Sequence, residues 1–221
     1  MLDTIAGPAG HLHIDDDGVV ATVAPPVVFV HSFAGDSLHW AGALAHLRPA
    51  RRAIAIDLRG HGQSDPPASG GWDVDDFADD IAAVVDRLAL PRFVLVGHSL
   101  GGSAAVAYAG AQPSRVAGLV LIGTPGRSDP GTARTVVAAL EADYEHVMNQ
   151  YWDKLLTDAR PEVAQTIRSR SRTIPRDVSL AIIRAIFAYD PLAALRAYPG
   201  PVLLVDTGRD QGPGPFTSRC R

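Results

Sequence analysis

Five short apolar runs recur along the chain: VVFV (Val27 to Val30), RAIAID (Arg52 to Asp57), FVLV (Phe93 to Val96), VAGLVLI (Val116 to Ile122) and PVLLV (Pro201 to Val205). Runs that are apolar without alternation fit strands buried on both faces, which is the situation of a parallel sheet. Parallel neighbours cannot be joined by a tight turn, so each pair needs a long crossover. The intervening segments supply it. Phe77, Ile81, Val84, Val85 and Leu88 fall on one face at helical spacing within Val74 to Leu88. LHWAGALAHL (Leu38 to Leu47) also has a helical pattern, and an Ala-rich helix is expected from Leu100 to about Ala111. The expected class is therefore α/β, a mostly parallel sheet with helices on both faces. Before it, HLHI and VVATV flank Asp15-Asp16-Asp17-Gly18 and read as a hairpin.

From about Gly126 to Ala197 no strand-like run occurs. Val136, Val137, Leu140, Tyr144, Val147, Met148, Tyr151 and Leu155 recur every three or four residues, which predicts one long helix. Val178, Ile182, Ala185, Ile186 and Tyr189 predict another, opened by Pro175. The expected organisation is one core from residues 1–125 and 198–221, with a helical insertion over residues 126–197. A chain of 221 residues is long enough for that single core.

VGHSLGG (Val96 to Gly102) sits at the junction of a strand and a helix. A serine on so tight a corner adopts strained backbone angles and lifts its hydroxyl above the sheet edge. Bulky neighbours would clash there, which explains the small residues two positions either side, Gly97 and Gly101. Ser99 is thus the candidate nucleophile, and the first amides of the following helix point toward it. His98 is adjacent, but consecutive residues on such a turn point apart, so it is not assigned as the base.

Several further stretches occur in a telling order. VVFVHSFAGDSLHW, AIDLRGHGQSD, FVLVGHSLGG, LALPRF and PSRVAGLVLIGTPG together resemble the α/β-hydrolase superfamily, specifically its single-domain enzymes with a helical cap. The resemblance runs from about His11 to Asp210. It implies an α/β-hydrolase core, with residues 126–197 as the cap. It implies that the backbone amides of Phe33 and Leu100 form an oxyanion hole. Ser32 stands where the family usually has glycine, which leaves the backbone angles of that loop open. His31 reads as a loop-bracing residue, and Asp57, Arg59, His61 and Asp65 as loop organisers. The resemblance also implies an acid after the strand that follows the cap. Asp210 has the family's spacing there, Asp206 comes too early, and Asp129 is the second choice.

The base implied by this fold is a histidine beyond the acid. The eight histidines are His11, His13, His31, His39, His46, His61, His98 and His146, and none follows Asp210. The tail QGPGPFTSRCR also lacks the family's last strand and helix. Either the chain is a truncated or frame-shifted member, or it uses another base; the unfinished fold favours truncation. An apolar sheet edge would then be exposed and open to self-association. His146, in the insertion, is the least bad substitute base.

The expected activity is hydrolysis of a small or medium carboxylic ester or related acyl substrate through an acyl-enzyme, with catalytic residues Ser99, Asp210, Phe33 and Leu100. Serine at the corner argues against relatives whose nucleophile is an aspartate. The alternatives are a non-catalytic small-ligand-binding protein and an impaired fragment. No cofactor is expected. A metal site is not expected either, since only His11-x-His13 has paired spacing. A net charge of −4 leaves no basic surface for nucleic acid. Pro25-Pro26 interrupt the one long uncharged stretch, so no membrane span is expected. Cys220 is the only cysteine and the start lacks a basic leader, so a cytoplasmic location is expected.

Overall fold

The structure, a computed structural model, describes residues 4–18 and 22–206. Its strands are β1 (Thr4–Ala6), β2 (His11–Asp16), β3 (Val27–Val30), β4 (Ala53–Ile56), β5 (Phe93–His98), β6 (Val116–Ile122) and β7 (Val202–Val205). Its α-helices are α1 (Ala41–Leu47), α2 (Val74–Arg87), α3 (Leu100–Ala111), α4 (Pro130–Ala142), α5 (Tyr144–Leu155), α6 (Pro161–Ser171), α7 (Arg176–Ala188) and α8 (Leu192–Ala197). A 3-10 turn at Ser37–Trp40 leads into α1.

The sheet order is β1-β2-β4-β3-β5-β6-β7. The β1/β2 and β2/β4 pairs are antiparallel, and every pair from β4 to β7 is parallel. Alternate residues separate the two faces. Val28, Val30, Ile54, Ile56 and Leu95 pack with Phe77, Ile81, Val84 and Val85 of α2 and with the apolar residues of α3. Val27, Phe29, Ala53, Ala55 and Val96 pack with Leu44 and Leu47 of α1. The mostly parallel sheet with helices on both faces is therefore as expected. The four α2 side chains are fully buried, a contribution of about 1.5–3 kcal/mol each.

The chain leaves β3 for β4 on one side and returns to β5 on the other. The carboxyl ends of β3 and β5 thus form the point where strand order reverses, and open α/β sheets bind ligands in that crevice. Residues 31–36 follow β3, and Ser99 follows β5.

The hairpin and the helical segment differ from the expectations. The hairpin pairs β1 with β2 through the Gly7–Gly10 turn, instead of HLHI with VVATV. Residues 19–21 of VVATV lie outside the described residues, and Thr22 and Val23 form no strand. The single helix expected over Val136 to Leu155 is two helices. Asp143 (φ −145°, ψ 80°) ends α4, and its carboxylate accepts from His146 N–H at 3.2 Å to open α5. Helices α6 and α8 are additional. All five helices between β6 and β7 fall within the segment expected to lack strands.

At the far edge β7 pairs with β6 alone among the described residues. Val202, Leu203 and Val205 are exposed there, so the edge is apolar. No helix among the described residues is long and apolar enough to cross a membrane.

One buried ion pair ties the loop after β4 to α2. Arg59 Nε donates to both Asp80 carboxylate oxygens at 3.0 Å, Nη2 donates at 2.7 Å, and the Arg59 N–H donates at 3.0 Å. Asp80 is fully buried. Asp80→Ala removes the buried carboxylate and leaves Arg59 only the partly exposed Asp76, 3.4 Å from Nη1, so a loss of about 3 kcal/mol is expected. Urea unfolding checks it, and the Arg59→Met/Asp80→Leu double variant should recover most of that loss.

Candidate active site at the β5–α3 corner

Ser99 joins β5 directly to α3 with φ 51° and ψ −113°. That is a left-handed conformation rarely adopted by a side-chain-bearing residue, and it costs on the order of 1–3 kcal/mol. Serine at a helix start ordinarily uses its oxygen to cap an N–H of the first turn. Ser99 makes no such bond. Among the described residues its hydroxyl is not engaged in capping, and it sits at a half-exposed position, which is the arrangement a reactive group needs.

The neighbouring glycines are required by close approach. A Cβ on Gly101 would lie 2.6 Å from the Val30 carbonyl oxygen and closer still to that of His31. A Cβ on Gly97 would meet Gly102 Cα at 2.6 Å. The first turn of α3 is thus pressed against the end of β3. Gly101 N–H donates to the His31 carbonyl at 3.1 Å and fastens the two segments together.

Leu100 is the first residue of α3, where amides have no partner within the helix. Among the described residues neither the Leu100 N–H nor the Phe33 N–H donates a hydrogen bond. Phe33 lies in a turn closed by the Gly35 N–H donating to the Ser32 carbonyl at 2.9 Å. Ala34 carries the positive φ of this turn, 58°. Ser32 has a negative φ, so serine at this position needs no glycine-only conformation.

His31 has no exposure. Its Nδ1 bonds the Ser32 carbonyl at 2.8 Å, and its Nε2 accepts from the Leu58 N–H at 3.0 Å. Those partners require the neutral ring with hydrogen on Nδ1. Burial, with the nearby His61, holds its pKa well below the usual histidine value. This is the bracing expected of it. Asp57 is likewise a hub, accepting from the Ser37 N–H at 2.6 Å and the Gln63 N–H at 2.9 Å, and bonding His13 Nδ1 at 3.0 Å. Asp65 accepts from the His11 N–H at 2.9 Å. His61 bonds the Arg59 carbonyl through Nδ1 at 2.9 Å, while its buried Nε2 has no partner among the described residues. Burial lowers the pKa values of His39, His61 and His98 as well.

These shifts have a consequence for stability. A histidine whose pKa is lower folded than unfolded binds its proton more readily when unfolded. Its stabilisation is complete above the unfolded value near 6.5 and is lost as pH falls below it, by up to about 1.4 kcal/mol per pH unit for the buried rings of His31 and His61; the exposed His39 contributes less because solvent screens it. Unfolding free energy should therefore decline between pH 7 and 5.5 in urea titrations. His31→Asn should flatten that slope.

All eight histidines lie in the described residues, and none of their rings bonds Ser99 Oγ there. His146 is exposed in the first turn of α5. Asp129 caps α4, accepting from the Thr132 N–H at 2.8 Å. Asp210 lies outside the described residues. Leu140, Met148, Trp152 and Ile174 of the helical segment are buried together with Ala34, against Phe33, while Ile182 of α7 joins the main core. A surface groove of about 1180 Å³ opens between α4 and α7, and its walls do not include Ser99, Phe33 or Leu100.

The profile of the α/β-hydrolase fold family matches residues 25–180. Over 101 residues the chain is 41% identical to the dihydrolipoyllysine-residue acetyltransferase component of an acetoin cleaving system from Pseudomonas putida, covering 46% of this chain and 27% of that protein. Over 98 residues it is 38% identical to 2-(acetamidomethylene)succinate hydrolase from Mesorhizobium japonicum, covering 44% of this chain and 35% of that protein. The matched stretches thus span about a quarter to a third of those relatives. An esterase from Exiguobacterium antarcticum superposes with a TM-score of 0.79 at 21% identity, covering 92% of this chain and 80% of that one.

Proposed function

Because the chain belongs to the α/β-hydrolase fold family, we propose that it is a serine hydrolase acting on a small or medium carboxylic ester or related acyl substrate. The proteins it is similar to include a hydrolase, 2-(acetamidomethylene)succinate hydrolase. The observation that carries the proposal is the strained Ser99, whose hydroxyl is not used for capping.

In this scheme Ser99 Oγ attacks the acyl carbon and its proton passes to a base. The carbonyl electrons move onto oxygen, where the Phe33 and Leu100 amides donate to the developing charge. Such preset donors contribute on the order of 3 kcal/mol each. Collapse expels the alcohol with the proton, and water then releases the acid from Ser99. Asp210 is assigned to orient the base. The family order places that base as a histidine after the acid, and no histidine follows His146 in this sequence. None of the histidine rings bonds Ser99 Oγ among the described residues, and a serine hydroxyl that no base contacts is a weak nucleophile at neutral pH, so turnover without added base is expected to be slow. The helical segment between β6 and β7 serves as the cap over the acyl site.

A second reading draws on the eight histidine rings, none bonded to Ser99 Oγ: a non-catalytic protein that binds small acyl ligands. Hydrolysis of p-nitrophenyl butyrate, with and without added imidazole, separates the two. Turnover that imidazole accelerates, and that depends on Ser99, supports the hydrolase. Saturable binding of the ester with no release of p-nitrophenol above the protein-free rate, with or without imidazole, supports the binding protein.

A further inference from the structure

The turn after β3 is held from the helical segment by two contacts that the acyl-transfer scheme does not itself require. The first is an ion pair. Asp36 is 7% exposed, its Oδ1 accepts from the Leu38 N–H at 3.0 Å, and its Oδ2 faces Arg170 Nη1 of α6. The second is a stack. The rings of Phe33 and Trp152 of α5 are nearly parallel, 6° apart in plane with centroids 6.5 Å apart.

The contacts are joined on both sides. On the helical side, Trp152 Nε1 donates to Ser171 Oγ at 2.9 Å, and Ser171 follows Arg170 in the chain. On the loop side, Phe33 and Asp36 enclose Ala34 with its φ of 58°. A non-glycine residue in that region costs about 1–2 kcal/mol, so the turn persists only where its surroundings hold it. Asp36 is buried enough that a carboxylate without a cation there would be costly. Arg170 supplies the positive charge from a different element, more than 130 residues along the chain.

We propose that Arg170, with Trp152, is a positioning residue: the helical segment holds the 32–36 turn, and through it fixes the Phe33 amide. The step rests on the assignment of the Phe33 N–H as a donor to the acyl oxygen. Opening of the helical segment would then switch off the donor as well as uncover the serine, coupling entry of substrate to competence of the site.

Two measurements on the full chain test this. The first is hydrogen–deuterium exchange. Arg170→Ala and Asp36→Asn should speed exchange of the amides of residues 32–39 and leave residues 97–103 and β4 unchanged, while Arg170→Lys should stay near wild type. The second is the rate of Ser99 phosphonylation by a fluorophosphonate. Arg170→Ala should lower the maximal rate roughly 10–100-fold, since a displacement near 1 Å has effects of that order, with little change in the half-saturating concentration. Arg170→Lys should recover most of that rate. Unchanged exchange over 32–39 in both charge-removing variants overturns the proposal. Faster exchange with an unchanged rate overturns the positioning role, since the contacts are then merely structural. Absence of labelling in the wild-type chain removes the serine-hydrolase assignment instead, and exchange alone then decides whether the helical segment holds the turn.

Discussion

Ser99→Ala is expected to lose at least about 10³-fold of the chain's reactivity toward a fluorophosphonate, with no loss of folded stability. The size follows from removal of the only atom assigned to bond phosphorus. The unchanged stability follows from the corner itself. Ser99 Oγ caps nothing in α3, so its loss leaves no amide newly unpaired. Alanine keeps the left-handed strain, whereas Ser99→Gly should relieve it and raise stability by about 1 kcal/mol. A variant series in which Ala is inert and Gly is inert but more stable would show strain maintained for reactivity. Labelling that persists in Ser99→Ala would place the reactive group elsewhere.

The second large effect is structural. Gly101→Ala should destabilise the chain by about 3 kcal/mol or more, because the new methyl group meets backbone oxygens of Val30 and His31 that belong to a buried strand end. No flexible side chain is available to move aside. The bond from the Gly101 N–H to the His31 carbonyl would lengthen as the helix is pushed away. For a chain of this size that loss corresponds to a melting temperature lower by roughly 6–12 °C. Ala104→Gly, in the same helix and equally buried, should cost only about 1 kcal/mol. Equal shifts for the two variants would mean that the close approach of α3 to β3 is not what fixes the corner.

The parallel part of the sheet was legible because its strands are almost wholly apolar. VVFV, FVLV and VAGLVLI have nowhere to go but a two-sided core, and β3, β5 and β6 lie where those runs are. The boundaries of α2 were legible from Phe77, Ile81, Val84 and Val85, which keep one face over the whole helix. The corner at Ser99 was legible because glycine is the residue that permits contact between backbones, and two glycines mark it.

What escaped had no period to reveal it. Strand β1 is three residues long, too short to alternate. The break at Asp143 interrupts a stripe that stays in phase across it, so spacing alone gives one helix; the signal was the aspartate three residues before the His146 amide it caps. Helix α6 buries only Ser171 among its residues, so it shows little apolar face. The Arg170–Asp36 pair joins two residues of surface type from distant segments, and nothing local in either segment names the other. Ser32 was open for a different reason. Glycine at a motif position suggests a glycine-only angle, but the left-handed residue of this turn is Ala34.

The assignment of Ser99 beneath the Phe33 and Leu100 amides is tested most directly by the crystal structure of the fluorophosphonate-treated chain. The expected result is a phosphorus bonded to Ser99 Oγ, with its phosphoryl oxygen accepting from both amides at about 2.7–3.1 Å. Phosphorus on another residue, or a phosphoryl oxygen facing solvent with both amides turned away, would contradict it.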